Sequence, residues 1–389
     1  LNIISDANLG SAPGSAVADQ LTLNGGTLFN YNGASITFAA NRGITLLGNN
    51  TIQVNNGSGI TVLGVVAGTG SLTLSANSGG LNGTLTLAGN NTYSGDTTIT
   101  GGTFTVTGTL GNGSYAGNIS NSGTLMVNSS TDQTYSGVIS GVGSIIKQGT
   151  GTLGLTNANT YSGGTTVNAG RLFGGAGSLT TTVFGSGLIT VNSGAALWTD
   201  RSTLSNALVL NSATLQSTNG FGEIWNGNVT ITGNNTLEAY YYLTFNGVVS
   251  GAGSITKTQA GMVIFSNANT YSGNTTISAG TFRITGTLGS GNYAGNISNN
   301  GVLQINSAAN QELAGIISGT GSLTKQGSST VTLSGNNTYS GATAINAGTV
   351  VITHNNGLGS TAGNTTIASG ATLDLQNTTA VAEALSIDG

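Results

Sequence analysis

The sequence predicts an all-β fold in which the chain winds into a parallel β-helix (a β-solenoid) and forms a single elongated rod. Three observations predict it: a composition suited to strands and tight turns, apolar residues that alternate with polar ones, and a segment repeated in tandem. We expect one continuous solenoid over residues 1–389.

The composition favours a folded chain made of strands. Charged residues make up 5% of the chain, against about 25% in a typical soluble domain. The 389 residues include 66 glycines and one proline. Disordered chains are poor in aliphatic and β-branched residues, whereas 37% of this chain is hydrophobic and its mean hydropathy is +0.13. Because Thr, Ser, Asn, Val, Ile and Leu dominate, strands joined by tight turns are expected.

The charge and the distribution of apolar residues exclude two classes of partner. Seven Lys and Arg residues against eleven Asp and Glu give a net charge of −4, and the cations are not clustered, so we expect no nucleic-acid binding. We find no apolar run long enough to span a bilayer, so we expect no direct membrane insertion by this segment. Cysteine is absent, which is consistent with an extracellular protein.

A twelve-residue segment recurs four times, beginning NTYSG at Asn91, Asn159, Asn269 and Asn337. A stretch of the form GxGS followed by alternating apolar residues precedes each copy, as in GVISGVGSIIKQGTGTLGLTNANTYSG at 137–163. The repeat units span 64–108, 137–175, 247–286 and 315–353, and the non-repeat coils span 171–246. Tandem repeats of this length favour a solenoid, in which each copy stacks on the one before.

Within each unit the apolar residues keep the two-residue period of a strand, as Leu85 with Leu87 and Phe104 with Val106 show. Gly or Asn interrupts the pattern every few residues, which is typical of corners. At roughly 20–25 residues per coil, the chain would make about 16–19 coils. The NTYSG segment is then a corner with an adjoining strand, and its tyrosines are structural repeat anchors: Tyr93, Tyr161, Tyr271 and Tyr339.

These residues also resemble a known family. The pattern GxG[SL]xK…TLxLxxxNTYSGxTT[IV]xxG is similar to the passenger-associated transport repeat, also called the autotransporter-associated β-strand repeat, of bacterial autotransporter passengers and other secreted surface proteins. The resemblance implies a right-handed β-helix, export across the outer membrane, and an extracellular place on the bacterial cell surface.

The first residues match the interior of a unit, because LNIISDANLGS at 1–11 aligns with VVITHNNGLGS at 350–360. We therefore expect the chain to be cut from a longer array. An uncapped coil offers a sheet edge that can pair with another chain. Head-to-tail or lateral self-association, and with it a fibre or matrix, is therefore one open expectation.

The search for chemistry predicts no catalytic, cofactor-binding or metal-binding residues. Glycoside hydrolysis needs two facing carboxylates, and the eleven acidic residues are scattered with no such pair recognised among them. His354 is the only histidine and is read as a turn residue. The GxGS stretches run into strands and not into the helix N-termini that phosphate loops use.

The non-repeat coils carry the candidate ligand or partner surface: Trp198, Trp225, Tyr240 and Tyr242. On a strand, Tyr240 and Tyr242 would point the same way and Tyr241 the opposite way. Exposed aromatic side chains can stack on sugar rings or contact a protein partner. The alternative is that they fill the core between coils.

We therefore predict a non-enzymatic extracellular structural or adhesive surface protein that needs no cofactor. Surface glycans, host or matrix molecules, and further copies of the chain are its expected partners. Two alternatives stay open, namely a carbohydrate-active β-helix enzyme and a passenger stalk that carries an activity outside this segment.

Overall fold

The computed structural model of this chain describes residues 1–31, 33–76, 83–175, 182–218, 220–379, 381 and 383–388. The chain divides into two compact units, Leu1–Leu197 and Trp198–Gly389, and each is described by itself. One continuous solenoid over 1–389 therefore stays a prediction. Parts of the predicted unit 64–108 (residues 77–82) and of the non-repeat coils 171–246 (residues 176–181 and 219) lie outside the described residues.

The first unit consists of strands in four sheets. The seven-stranded sheet contains Asn2–Ile3, Thr27–Asn30, Asn49–Val54, Ser71–Ala76, Thr97–Ile99, Ile119–Asn121 and Ile139–Ser140. A second sheet contains Ile36–Phe38, Gly59–Val62, Thr84–Leu87, Thr103–Val106, Thr124–Asn128, Ser144–Gln148, Thr165–Val167 and Ile189–Val191. A third contains Ser114–Tyr115, Gln133–Tyr135, Thr152–Leu155, Arg171–Gly174 and Ala196–Thr199. The fourth contains Val17–Asn24, Arg42–Leu47 and Val66–Gly68.

The second unit is built in the same way. Its longest sheet contains Thr203–Leu204, Glu223–Trp225, Tyr242–Phe245, Met262–Phe265, Thr281–Ile284, Val302–Asn306, Ser322–Gln326, Thr343–Ile345, Asn364–Ile367 and Ala384–Ile387. Beside it run Thr214–Ser217, Asn234–Glu238, Ser254–Thr258, Thr275–Ile277, Ile297–Asn299 and Ile317–Ser318. The remaining strands belong to two further sheets. One contains Leu208–Asn211, Val229–Thr232 and Val249–Ser250. The other contains Asn292–Tyr293, Gln311–Leu313, Thr330–Leu333, Thr349–Ile352 and Thr372–Leu375.

The strand pairings confirm the predicted parallel β-solenoid, with about 18 turns in the described residues. Paired strands run parallel, and a residue pairs with its counterpart one turn later. The turns differ in length, since Val331 pairs with Val350 but Ile3 pairs with the more distant Asn30. Short 3₁₀ segments at Asp6–Leu9, Gly111–Gly113 and Gly289–Gly291 are the described helical elements. In the described residues no helix reaches the length and apolarity needed to cross a bilayer.

The interior is made of apolar columns that run from turn to turn. Along most of the described strands buried and partly exposed residues alternate, as in Gln133–Tyr135 and Met262–Phe265. In the second unit the ring of Phe265 lies 5.2 Å from that of Phe245 and 4.9 Å from that of Phe282. Stacked parallel strands place like residues about 4.8 Å apart, so one apolar position repeated in each turn becomes a continuous core.

The glycine of NTYSG is required by the close approach of successive turns. A Cβ placed on Gly163 would lie 2.2 Å from the carbonyl oxygen of Gly143, the second glycine of the GxGS stretch one turn earlier. The other three copies show the same approach, at 2.2–2.3 Å: Gly95 on Gly70, Gly273 on Gly253, and Gly341 on Gly321. The neighbour in each pair is backbone, which cannot move aside as a side chain could.

Replacing Gly163 with alanine is expected to destabilise the fold, because the two turns must separate to make room for the Cβ. The expected loss is roughly 1–3 kcal/mol, the typical cost of overpacking. The matched control is Gly26→Ala, where an added Cβ would meet no atom within 4 Å. Thermal unfolding followed by circular dichroism should show a clearly lowered midpoint for Gly163→Ala and an unchanged one for Gly26→Ala. Equal midpoints for the two variants would contradict the packing described above.

Candidate functional site

The NTYSG segment carries a buried asparagine that joins three successive turns. The Oδ1 atom of Asn159 accepts a hydrogen bond of 2.7 Å from the backbone N–H of Ile139, one turn earlier. Its Nδ2 donates a hydrogen bond of 2.6 Å to the backbone carbonyl of Val183, one turn later. We call this arrangement the amide staple.

The other three copies of the repeat contain the same staple. In each, Oδ1 accepts from a backbone N–H of the preceding turn: Val66 to Asn91, Val249 to Asn269, and Ile317 to Asn337. In each, Nδ2 donates to a carbonyl of the following turn: Thr109, Thr287 and Gly357, respectively. All four asparagines are buried, so their side-chain amides give buried backbone groups a partner in place of water. The carbonyls of Thr109 and Thr287 also accept from the backbone N–H of Asn91 and Asn269.

Two glutamines make a related bridge, each to the preceding turn alone, and sequence reasoning missed them. Gln133 accepts from the N–H of Leu110 at 2.9 Å and donates to the carbonyl of Gly108 at 3.1 Å. Gln311 makes the matching bonds to the N–H and the carbonyl of Leu288. The two glutamines recur in step with the long duplication that relates the first and third NTYSG copies, and this recurrence was the available signal.

The four repeat tyrosines lie in the interior and form hydroxyl pairs. Tyr161 and Thr165 place their hydroxyl oxygens 2.7 Å apart, and burial raises the pKa of the Tyr161 phenol above its ordinary value. The same pair recurs as Tyr93 with Thr97, Tyr271 with Thr275, and Tyr339 with Thr343. These tyrosines are thus fully buried and offer no surface for a ligand.

A buried lysine stands at one place in three of the four units. The Nζ of Lys147 donates to the carbonyls of Gln148, Gly149 and Ala169, at 2.8, 2.8 and 3.1 Å. Lys257 and Lys325 bind the carbonyls that follow them in the same way. Burial lowers the pKa of Lys147 to about 8, so at neutral pH the charged form still prevails and donates to the carbonyls of two turns.

The tyrosine run of the second unit is exposed, but not in the alternating way that the sequence predicts. Tyr240 and Tyr241 lie in a bend, and only Tyr242 belongs to the strand Tyr242–Phe245. Their exposed fractions are similar, at 38%, 43% and 39%. The rings of Tyr241 and Tyr242 lie 4.2 Å apart, at 58°. The prediction that Tyr241 faces away from the other two is wrong, because a bend does not alternate its side chains as a strand does.

The two tryptophans differ in burial, and neither is as exposed as the tyrosine run. Trp225 is fully buried, and its indole N–H donates a 2.9 Å hydrogen bond to the carbonyl of Asn206. Its placement on a ligand surface was therefore wrong, because its position in Glu223–Trp225 points inward beside Phe245 of the next turn. Trp198 is half-buried in the strand Ala196–Thr199, with its indole nitrogen inside the fold.

Two carboxylates that the sequence analysis treats as scattered come together beside the tyrosines. The hydroxyl of Thr218 donates to Oδ1 of Asp200 at 2.5 Å and lies 3.3 Å from Oε1 of Glu223. The backbone N–H of Thr218 also donates to Oε1 of Glu223, at 3.1 Å. Asp200 and Glu223 are separated by about one turn of the solenoid, as the pairing of Thr203 with Ile224 shows. This spacing was the signal that sequence reasoning overlooked.

The environments of the two carboxyls differ. Glu223 is 1% exposed, and burial raises the pKa of its carboxyl to about 7, against the opposing effect of the hydrogen bonds from Thr218. The side chain of Asp200 is 24% exposed. Glu223 is thus shielded from solvent, whereas a glycosidase needs both of its carboxyl groups beside the scissile bond.

Arg201 extends this cluster to the aromatic residues. Its guanidinium carbon lies 3.5 Å from the centre of the Phe221 ring, which is a cation–π contact. Its Nε stands 4.0 Å from Oδ1 of Asp200. The backbone of Arg201 has φ +52, in the left-handed region that residues with a side chain seldom adopt.

The remaining candidates for chemistry take turn positions. His354 accepts a hydrogen bond from the N–H of Asn356 through Nδ1, and its own carbonyl accepts from Gly357, so it belongs to a local turn. Among the residues that the structure describes, no three His, Cys, Asp or Glu side chains lie close enough together to hold a metal ion.

Comparison with known proteins agrees with the repeat geometry. Four segments match the passenger-associated-transport-repeat family, at residues 82–106, 145–172, 255–284 and 323–352. The chain contains four passenger-associated-transport-repeat segments. Each match contains one amide staple and its tyrosine, and each lies within one of the four repeat units that the sequence predicts.

The chain is also similar to a curated relative, the adhesin BmaC autotransporter of Brucella suis biovar 1 (strain 1330), with 30% identity over 440 residues. The aligned region covers 96% of this chain and 12% of that relative. The chain therefore spans about an eighth of the length of the adhesin that it resembles. No solved structure matches the chain significantly.

Removing one staple from the passenger-associated transport repeats tests its role. Asn159→Ala leaves the N–H of Ile139 and the carbonyl of Val183 buried without this partner, at a cost of roughly 1–3 kcal/mol for each group. Asn157→Ala is the control, because Asn157 is only partly buried and makes its hydrogen bonds at the surface. Urea unfolding should show a lower midpoint for Asn159→Ala alone. A midpoint equal to that of the control would show that the staple contributes nothing.

The buried carboxyl of Glu223 should make stability depend on pH. Its pKa is about 7 in the folded protein and 4.5 as the ordinary value, so between these values the folded state binds more protons than the unfolded state. Stability therefore falls as pH rises from about 5 to about 7, by at most about 1.4 kcal/mol per pH unit. Glu223→Gln, which imitates the protonated form, should remove this loss when unfolding midpoints are compared at pH 5 and pH 8. An identical pH dependence in both proteins would contradict the assignment.

Proposed function

We propose that this chain is a non-enzymatic adhesive segment of an exported passenger, held at the bacterial cell surface. The observation that carries the proposal is the set of hydrogen-bond partners that the polar side chains of the repeat have. The asparagine and tyrosine of each unit, and the buried lysine of three units, bind other parts of the same solenoid, which supports a role of the repeat as a scaffold.

The comparisons support the same function. The transport-repeat match supports export, and the similarity to an autotransporter adhesin supports adhesion at the cell surface. Because the chain spans 12% of that adhesin, the adhesive activity proposed here is that of the segment itself. The cluster of Asp200 and Glu223 does not favour an enzyme, since one carboxyl is buried.

Beads coated with the purified chain provide a direct test. They should adhere to cultured cell layers and to extracellular-matrix coatings well above beads coated with albumin. Incubation with neutral and acidic polysaccharides, with and without calcium, should release no new reducing ends and no unsaturated products.

Either of two results would overturn the proposal. Beads that adhere no better than the albumin control would remove adhesion from this segment. Released sugar products would make it a carbohydrate-active enzyme. Negative-stain microscopy of the same preparation adds a third outcome, because long uniform fibres would assign the segment to a self-assembling matrix instead.

A further inference from the structure

The second unit carries a concentration of exposed large apolar side chains that the scaffold does not explain. Phe221, Tyr240, Tyr241 and Tyr242 are between 38% and 45% exposed and lie close together in the sequence. Single exposed apolar side chains are ordinary on a protein surface, but a contiguous group of them marks a binding site. They lie outside the four segments that match the transport repeat.

We propose that Arg201, Phe221, Tyr240, Tyr241 and Tyr242, here called the aromatic platform, bind a pyranose ring of an uncharged surface glycan. The inference rests on the proposed adhesive function and specifies its ligand. The ring faces supply an apolar surface for the C–H groups of the sugar. Asp200 and the guanidinium of Arg201 supply an acceptor and a planar set of donors for its hydroxyls.

The polar side of the platform is held in place from below. Thr218 binds both Asp200 and the buried carboxyl of Glu223, so the corner that carries Asp200 is fixed to the corner one turn later. Arg201 is fixed by its contact with the Phe221 ring. Its left-handed backbone is a local strain, and such strain is found preferentially at functional sites. A surface that is already ordered loses little entropy on binding.

The tyrosines of the platform also pack against, or hydrogen-bond to, residues of the preceding turn. Tyr242 stands over Gly222, where an added Cβ would lie 3.3 Å from the Cβ of Tyr242. The glycine thus leaves room beneath the tyrosine. The backbone N–H of Tyr240 donates to the hydroxyl of Ser217 at 3.1 Å, which fixes the start of the tyrosine bend.

The charge of the platform selects an uncharged ligand. Arg201 and Asp200 stand 4.0 Å apart, with side chains 39% and 24% exposed, and their charges cancel locally. A sulfated or otherwise strongly anionic glycan would find no net positive field here, since such ligands need clustered cations. The chain as a whole has seven Lys and Arg residues and a net charge of −4.

The area of the platform favours a sugar over a folded protein partner. The four aromatic side chains are each about two fifths exposed, so together they offer roughly 300–400 Å² of accessible surface. A stable protein–protein interface needs about 800 Å² from each partner. One or two sugar rings stacked on tyrosines require much less, and weak single contacts suffice when many copies of an adhesin act together.

The direct test uses the whole chain on an array of immobilised neutral hexose and N-acetylhexosamine oligosaccharides, with sulfated and sialylated counterparts. The wild type should bind neutral members with little dependence on salt. The double variant Tyr241→Ala/Tyr242→Ala should bind at least tenfold more weakly, and Arg201→Lys should bind several-fold more weakly because it lacks the planar fork. Tyr31→Ala is the control, since Tyr31 is 63% exposed in the first unit.

Because Tyr241 and Tyr242 are more than half buried, the double variant is expected to unfold at a somewhat lower midpoint, and binding is compared at a temperature at which every variant is folded. Binding confined to sulfated members, binding to no neutral member, or equal binding by wild type and double variant would each overturn the proposal.

Bead adhesion separates this proposal from the adhesive function. Treating the target surface with periodate cleaves the vicinal diols of sugars, so adhesion should fall to the level of the double variant. Adhesion that survives periodate but is lost in the double variant would identify a protein partner and overturn the glycan proposal. Adhesion retained in full by the double variant would leave the adhesive function intact and remove the platform. Absence of adhesion by the wild type would remove the function itself.

Discussion

The fold depends on a buried side-chain amide at each repeat corner. Where a short strand of the solenoid meets a corner, some buried backbone N–H and C=O groups need a partner that the strand ladder does not supply. A buried unpaired group of this kind costs about as much as a lost hydrogen bond or more. The asparagine of NTYSG meets both needs at once, because its oxygen accepts from the turn before and its nitrogen donates to the turn after, as Asn159 does between Ile139 and Val183.

The other repeated residues follow from that constraint. The asparagine reaches both neighbours only when the turns stay in close contact at the corner, and the glycines stacked at 163 and 143 permit this contact. The tyrosine two positions after the asparagine fills the space inside the corner and satisfies its hydroxyl on a threonine. The lysine binds carbonyls at the next corner. One short segment thus carries the packing and the polar satisfaction of a corner together, which is a physical reason for its repetition.

Much of this architecture could be predicted from the sequence, and the parts that failed have physical causes. The two-residue period and the tandem repeat lead directly to stacked parallel strands with about one strand per face in each turn. The direction in which Trp225 points depends on the exact register of an irregular turn, and the repeat gives no register in the non-repeat coils. Tyr241 was misplaced because the chain bends there. Asp200 and Glu223 meet only through Thr218 at a corner, although their spacing of about one turn was visible in the sequence.

The repeats use their asparagines, tyrosines and lysines to hold the scaffold together, whereas Arg201, Phe221 and the three exposed tyrosines lie in coils without the motif. Hydrogen exchange at the backbone N–H of Ile139, and at the equivalent Val66, Val249 and Ile317, is the most direct measurement of the central claim. Each of these N–H groups belongs to the first residue of a short strand and donates to a staple side chain, so its exchange should be as slow as that of N–H groups bonded within the strand ladders. Exchange at the rate of exposed loop amides would show that the amide staples do not hold the turns together.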